Sequence, residues 1–304
     1  MKQFTIIIAF LTLITGSVLG QRELNMSQYM YNRYSINPAF GGSHESLSAY
    51  ASYRKKWLGF EDSPTGAFFT IHSPLKKENV ALGAQFFSDK FGVSQNTGFN
   101  LSYTYRLQLD NQSTLAFGIS GGIVNHKSDW TQVRLSDSEY DETFASVEQT
   151  MSPLVGFGVS IYNKKYFGGF SIPSLLYYDR YETAESSLDF AKIDYLFTGG
   201  FIHKVSNSFA IQPSALIRVN LDDKSFAELS ATGILMNSLM VGTSYRTTNE
   251  IIGIIGYQIT PQFRFTYSLD YDIDPIGSYN NGTHEVALQF DFGYKIDSPD
   301  PKFF

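Results

Sequence analysis

Cysteine is absent from the 304-residue chain. That removes thiolate metal sites, disulfide scaffolds and cysteine nucleophiles from consideration. Charge is sparse, with 23 Lys and Arg against 29 Asp and Glu for a net −6. No basic face exists to hold nucleic acid. Beyond the first twenty residues no apolar run is long enough for a transmembrane helix, so a membrane-embedded chain must cross as β structure. Tryptophan is scarce at 2 residues, but aromatics are not: the chain has 26 Phe, 20 Tyr and 25 Gly. That much buriable surface excludes disorder.

The amino terminus reads as an address. A basic start at Lys2, an apolar run from Phe4 to Leu13 and small residues before Gln21 describe a signal peptide over residues 1–20, with Val18 and Gly20 at −3 and −1 of the cut. An uncleaved anchor helix is the alternative, and the run is shorter than the ~20 residues a span needs.

Thereafter the period is two. Phe99 to Leu109 alternates apolar and polar without a break, as do Phe263 to Ile273 and Val286 to Tyr294. Each such strand has one apolar face and one polar or small face. About fourteen segments follow this rule: 45–57, 65–74, 80–88, 96–109, 113–127, 152–162, 165–178, 190–204, 208–221, 225–236, 239–247, 250–260, 262–273 and 283–295. Their connections tend to alternate short and long, and the longer ones are expected at 58–64, 89–95, 128–151, 179–189 and 274–282. The loops near 222–224 and 247–250 are short where the rule wants long ones.

The expected fold class is therefore all-β: a transmembrane antiparallel β-barrel of about fourteen strands over residues 45–304, preceded by a turn-rich periplasmic segment at 21–44. An even strand count puts both termini on the periplasmic side of an outer membrane. Tyr29 with Tyr31, Tyr162 with Tyr166, and Tyr177-Tyr178 are expected at interfacial girdles. A soluble sandwich would need two domains and a linker, and the chain shows no composition break.

Chemistry is thin. Five His at 44, 72, 126, 203 and 284 show no metal-binding spacing, and His72 and His203 fit a polar lumen or interface better than a metal site. Asp270 and Asp272 share a face with Arg264 and read as a luminal charge ladder. Gly118, Gly121 and Gly122 precede no helix, so they mark strand positions where side chains must stay small rather than a phosphate loop. No cofactor and no catalytic residue is assigned, and the reading is non-enzymatic.

One region departs from the strand pattern. Ser27-Gln28-Tyr29-Met30-Tyr31-Asn32 is followed by Asn37-Pro38-Ala39-Phe40-Gly41-Gly42, where Asn-Pro and Gly-Gly mark turns. This aromatic segment is expected to plug or brace the periplasmic mouth of the barrel, with Tyr29, Asn37 and Pro38 contacting the barrel or a periplasmic partner. Next comes Tyr53-Arg54-Lys55-Lys56-Trp57-Leu58-Gly59-Phe60, running to Pro64, where Arg54 is expected to clamp the loop that Gly59 turns. These motifs, together with Leu82-Gly83, Asp89, Gly92 and Leu101 to Arg106, resemble the PorP/SprF family of the Bacteroidetes type IX secretion and gliding machinery. Arg33 and Tyr34 stretch the first motif, and Lys56 stands where many members carry Gln.

The resemblance implies an outer-membrane barrel that supports secretion or surface anchoring of a particular cargo, often a large adhesin recognised by its C-terminal domain. The implied partners are the secretion pore, periplasmic ring and lipoprotein components, and membrane lipid. Gln28, Tyr29, Asn37, Pro38, Gly41, Arg54, Trp57, Gly59 and Phe60 carry the family motifs and are partner candidates. In the loop at 128–151, Trp130, Leu135, Tyr140 and Phe144 form a candidate cargo surface or fold over their own barrel mouth. A transport barrel for hydrophobic or small solutes is the alternative function, and a barrel hydrolase is a third.

Overall fold

A computed structural model describes residues 26–75, 79–109, 112–133, 146–178 and 186–293. Strands dominate. In chain order they are β1 (Leu47–Lys55), β2 (Thr65–Pro74), β3 (Val80–Phe91), β4 (Ser94–Gln108), β5 (Thr114–Asp129), β6 (Val147–Tyr162) and β7 (Tyr166–Ile172). They continue with β8 (Tyr195–Phe201, resuming as His203–Ser206), β9 (Phe209–Val219), β10 (Phe226–Leu235), β11 (Leu239–Arg246), β12 (Glu250–Gln258), β13 (Phe263–Asp272) and β14 (Thr283–Phe292). Each pairs antiparallel with its sequence neighbours, and β1 closes the ring on β14 from Leu47↔Phe292 to Lys55↔His284. The result is a closed fourteen-stranded barrel, the one β arrangement that leaves no ladder edge in lipid.

The barrel is inside-out relative to a soluble protein. Leu82, Phe86, Leu101, Ile119, Ile123, Phe197, Leu229, Val241 and Leu288 are exposed on the outer wall. Ser48, Thr70, Ser102, Thr104, Gln212, Ser230, Arg246, Arg264, Asp270 and Glu285 are buried on the inner wall. Alternation in the sequence thus separates lipid from lumen. β12 has apolar residues on both faces, and they part by parity: Ile252 and Ile254 are buried inside, Ile251 and Ile255 exposed outside.

At one rim the strand ends are joined by short connections, 75–79, 109–113, 163–165, 207–208, 236–238 and 259–262. At the other they are joined through 56–64, 130–146, 173–194 and 273–282 and by three short connections. The long loop expected at 89–95 is a correction. β3 and β4 run on to Phe91 and from Ser94, and Gly92, at φ +55°, turns the chain between them. Likewise β5 and β6 extend into the expected loop, leaving 130–146. The segment expected at 165–178 stops at Ile172, and Tyr177–Tyr178 instead pairs with Ser186–Ser187 in a two-residue ladder.

Candidate functional site: the occupied barrel lumen

Residues 26–46 thread the lumen. Two 3₁₀ turns, Arg33–Ser35 and Pro38–Phe40, compact the segment; Pro38 starts the second, and the Asn37 side chain caps it by accepting from Ala39 N at 2.9 Å. A segment this short has no core of its own, so it satisfies its polar groups on the barrel wall.

The contacts run from one end of the lumen to the other. Ser27 lies toward the long-loop end, where its N–H donates to Glu285 Oε2 at 3.0 Å and its hydroxyl to Asp270. Arg54 completes that cluster, donating to Asp270 Oδ2 at 2.6 Å, to Glu285 Oε2 at 3.0 Å and to Ser27. Gln28 donates to Glu285 O at 3.0 Å and accepts from Thr266. Tyr29 and Met30 pack with Leu216, Phe226, Ile234, Met240 and Ile252, an apolar cluster enclosed inside the wall. The Tyr29 hydroxyl reaches Ser214 at 3.3 Å, and the Arg264 guanidinium lies 5.1 Å from the Tyr31 ring centroid.

The segment then crosses to the other side of the barrel. Asn32 donates to Thr70 at 3.1 Å, the Tyr34 and Ser102 hydroxyls meet at 2.6 Å, and Gln85 donates to Tyr34 O at 2.8 Å. Asn37 Nδ2 donates to both Val159 O and Phe170 O at 3.1 Å, bridging β6 and β7. Thr104, Ser160 and Ser171 donate to Pro38 O, Ala39 O and Ile36 O. Phe40 packs with Tyr162 and Phe167. At the short-turn end His44 Nδ1 sits 3.0 Å from Asp291 Oδ1, and Arg106 pairs with Glu45.

The wall is cut to fit. A Cβ at Gly118 would lie 2.3 Å from Ala39 N, one at Gly158 2.0 Å from Asn37 Oδ1, and one at Gly83 2.2 Å from the Tyr34 hydroxyl. Gly118 therefore must stay small, as expected. Gly121 is a correction, because its Cβ would meet nothing within 4 Å.

Gln28, Tyr29, Asn37, Pro38 and Gly41 all lie in the lumen, buried. Arg54 points inward too, so it holds the inserted segment rather than clamping the Gly59 loop, which corrects that expectation. That loop is instead fastened by Leu58 N to Gly282 O and Asn281 N to Leu58 O, both 2.8 Å, and by Trp57 Nε1 donating to Asp272 Oδ2 at 3.0 Å. Gly59 turns it at φ +110°, and Phe60 is exposed. Burial, with the Arg54 charge second, pushes the Lys56 ammonium at the base of this loop down to about 8. Trp130 is half-buried in a 3₁₀ turn, while Leu135, Tyr140 and Phe144 lie outside the described residues. The girdle expectation is corrected for Tyr29, Tyr31 and Tyr162, which are buried inside the barrel; Tyr166 is exposed. His72 accepts from Gly42 N in the lumen at 3.1 Å, whereas His203 is exposed.

The sequence did not single out Thr104, Ser160, Ser171, Gln85 and Glu285 as contacts of the inserted segment. Alternation placed them on a polar face, but nothing in it named their partner.

The family profile described as type IX secretion system membrane protein PorP/SprF matches residues 18–290. The chain belongs to the PorP/SprF family. No curated protein matches this PorP/SprF chain. Among solved structures it is similar to the CymD monoaromatic hydrocarbon channel, with TM-score 0.51 and 13% identity over 90% of this chain and 95% of that one. It is also similar to the Ralstonia pickettii toluene transporter TbuX, with TM-score 0.50 and 8% identity over 84% and 92%. At such identities the likeness is one of fold: an outer-membrane type of barrel, here a PorP/SprF membrane protein of type IX secretion.

Proposed function

We propose that this PorP/SprF barrel is a non-enzymatic docking component of the type IX system that supports secretion or surface anchoring of one cargo, an adhesin-like protein. Cargo engages it at its rims. The observation that carries this reading is the filled lumen. Residues 26–46 bond to strands on both sides of the ring, and the lumen-facing side chains they touch are buried, so the barrel offers surfaces rather than a conduit. In this reading the short-turn rim faces the periplasm, as in other outer-membrane barrels, and meets the pore, ring and lipoprotein components. The long loops face outward to cargo. β14 ends at Phe292 on the short-turn rim, whereas Ser27 lies toward the long-loop end of the lumen. A signal peptide over residues 1–20 directs the chain to export, and the barrel domain begins at residue 45.

The test is affinity purification of the tagged protein from outer membranes in mild detergent, with partners identified by mass spectrometry and conductance measured in planar bilayers. A large secreted protein with type IX components, and a silent bilayer, is the expected result. A lone, conducting barrel would replace this reading with solute transport.

A further inference from the structure

The barrel wall is not level on its long-loop side. β4, β5 and β6 are 15, 16 and 16 residues long, against the ~9–11 that cross a bilayer. They outrun β7, and the end of β3, still paired with β2 as far as Thr65↔Lys90, joins them in a four-stranded flange. The outward side chains record where the lipid ends. Phe86, Phe99, Ile123 and Pro153 share one row across the flange; two residues higher the row is Ser88, Thr97, Asn125 and Met151, and above that Lys90, Gln95, Lys127 and Gln149.

Among the described residues one side of the flange is open. β6 pairs with β5 along its whole length, from Val147 to Tyr162, but with β7 only from Phe157 to Tyr162. Among the described residues Val147–Leu154 have no second ladder partner, and Val147 and Met151 are 51% and 66% exposed. One further bond shows which backbone groups face the gap. Leu175 N donates to Val155 O at 2.7 Å, so the odd residues of β6 direct their N–H and C=O to the open edge, and the even ones to β5. Pro153 obeys that parity, since its missing N–H belongs to the edge and costs the β5 ladder nothing.

An unpaired strand edge held above a membrane is a template for one chemistry, an extended polypeptide adding a strand. The edge already accepts one backbone N–H at its base, from Leu175. We propose that Val147–Leu154 is the site where an extended segment of the secreted cargo docks by strand addition. This inference rests on the cargo-docking reading above and specifies its contact. The docked strand places apolar side chains beside Val147 and Met151 on the outer face, and polar ones beside Glu148 and Thr150 on the inner face. Its main chain bonds to Val147, Gln149 and Met151.

The double variant Gln149→Pro/Met151→Pro removes two edge N–H groups by the device Pro153 already uses. Gln149→Ala/Met151→Ala removes the same side chains and keeps the N–H groups. Both variants are expected to show the heat-modifiable migration of a folded barrel. The proline pair is expected to recover about tenfold less cargo than wild type in the affinity purification, and the alanine pair close to wild-type amounts. A photo-crosslinking residue at position 149 is expected to capture cargo in cells, and one at Phe197 on the outer wall is not. That readout stands if the prolines impair folding. Full cargo recovery by the folded proline variant overturns the proposal and leaves the docking function intact. So do crosslinks from position 149 confined to this chain or a second copy. If wild-type protein recovers no cargo, both readings fall.

Discussion

Arg54 shows how a single residue carries a fold-level load in this protein. Its guanidinium joins two acids on different strands, Asp270 and Glu285, to Ser27 of the inserted segment. All four side chains are buried. Removing the cation leaves two carboxylates enclosed without a counter-charge, a change that typically costs about 3–5 kcal/mol. Arg54→Met is therefore expected to lower the thermal unfolding midpoint markedly. Adding Asp270→Asn and Glu285→Gln is expected to recover much of the loss, because neutral amides do not need the cation. Equal midpoints for wild type and Arg54→Met, measured by circular dichroism in detergent, would remove Arg54 from this role. The sequence announced Arg54 through the Tyr-Arg-Lys-Lys-Trp-Leu-Gly-Phe run, yet it pointed to the adjacent loop. The acids that bind it lie more than two hundred positions away, and only the closure of β14 on β1 brings Glu285 opposite Arg54.

At the scale of the element, the inserted segment and the wall are complementary surfaces. The segment is held by hydrogen bonds from side chains to its own carbonyls, so its shape matters more than its side chains at Ile36, Pro38 and Ala39. Gly118→Val tests this fit. The new side chain would start 2.3 Å from Ala39 N, where backbone cannot yield as a flexible side chain can. The barrel strands, whose ladders lie in the wall, are expected to persist while the segment is displaced, so the variant should conduct in planar bilayers where wild type is silent. Gly121→Val, three residues along on the outward face with open space around its Cβ, is expected to stay silent. Conductance unchanged in both would mean that the segment tolerates intrusion and the lumen is sealed otherwise.

For the molecule as a whole, the absence of cysteine makes topology directly measurable. Single cysteines at Met26, Lys224 and Asn207 sample the end of the inserted segment, the long-loop rim and the short-turn rim. In intact cells a membrane-impermeant maleimide is expected to label Lys224→Cys but to reach Asn207→Cys only after permeabilisation. Met26→Cys is expected to behave as Lys224→Cys does, since Ser27 sits with Arg54, Asp270 and Glu285 near the long-loop ends of their strands. The reverse pattern at Lys224 and Asn207 would invert the barrel in the membrane.

The fourteen strands and their order, and the split between lipid-facing and lumen-facing residues, were determined by the sequence alone. A period of two assigns every residue of a strand to one of two faces, and no competing period runs through β1 to β14. Family membership was legible too, because the motifs between Ser27 and Arg106 are local. What lay beyond the sequence are the facts that depend on closure. Periodicity says that Tyr29 and Tyr162 belong to strand ends or turns. It cannot say that one fills the lumen and the other packs against Phe40 there, because both outcomes bury an aromatic ring beside a polar hydroxyl. Nor can it show that β6 outruns β7, since an unpaired edge is a property of two strands in register and neither sequence contains it.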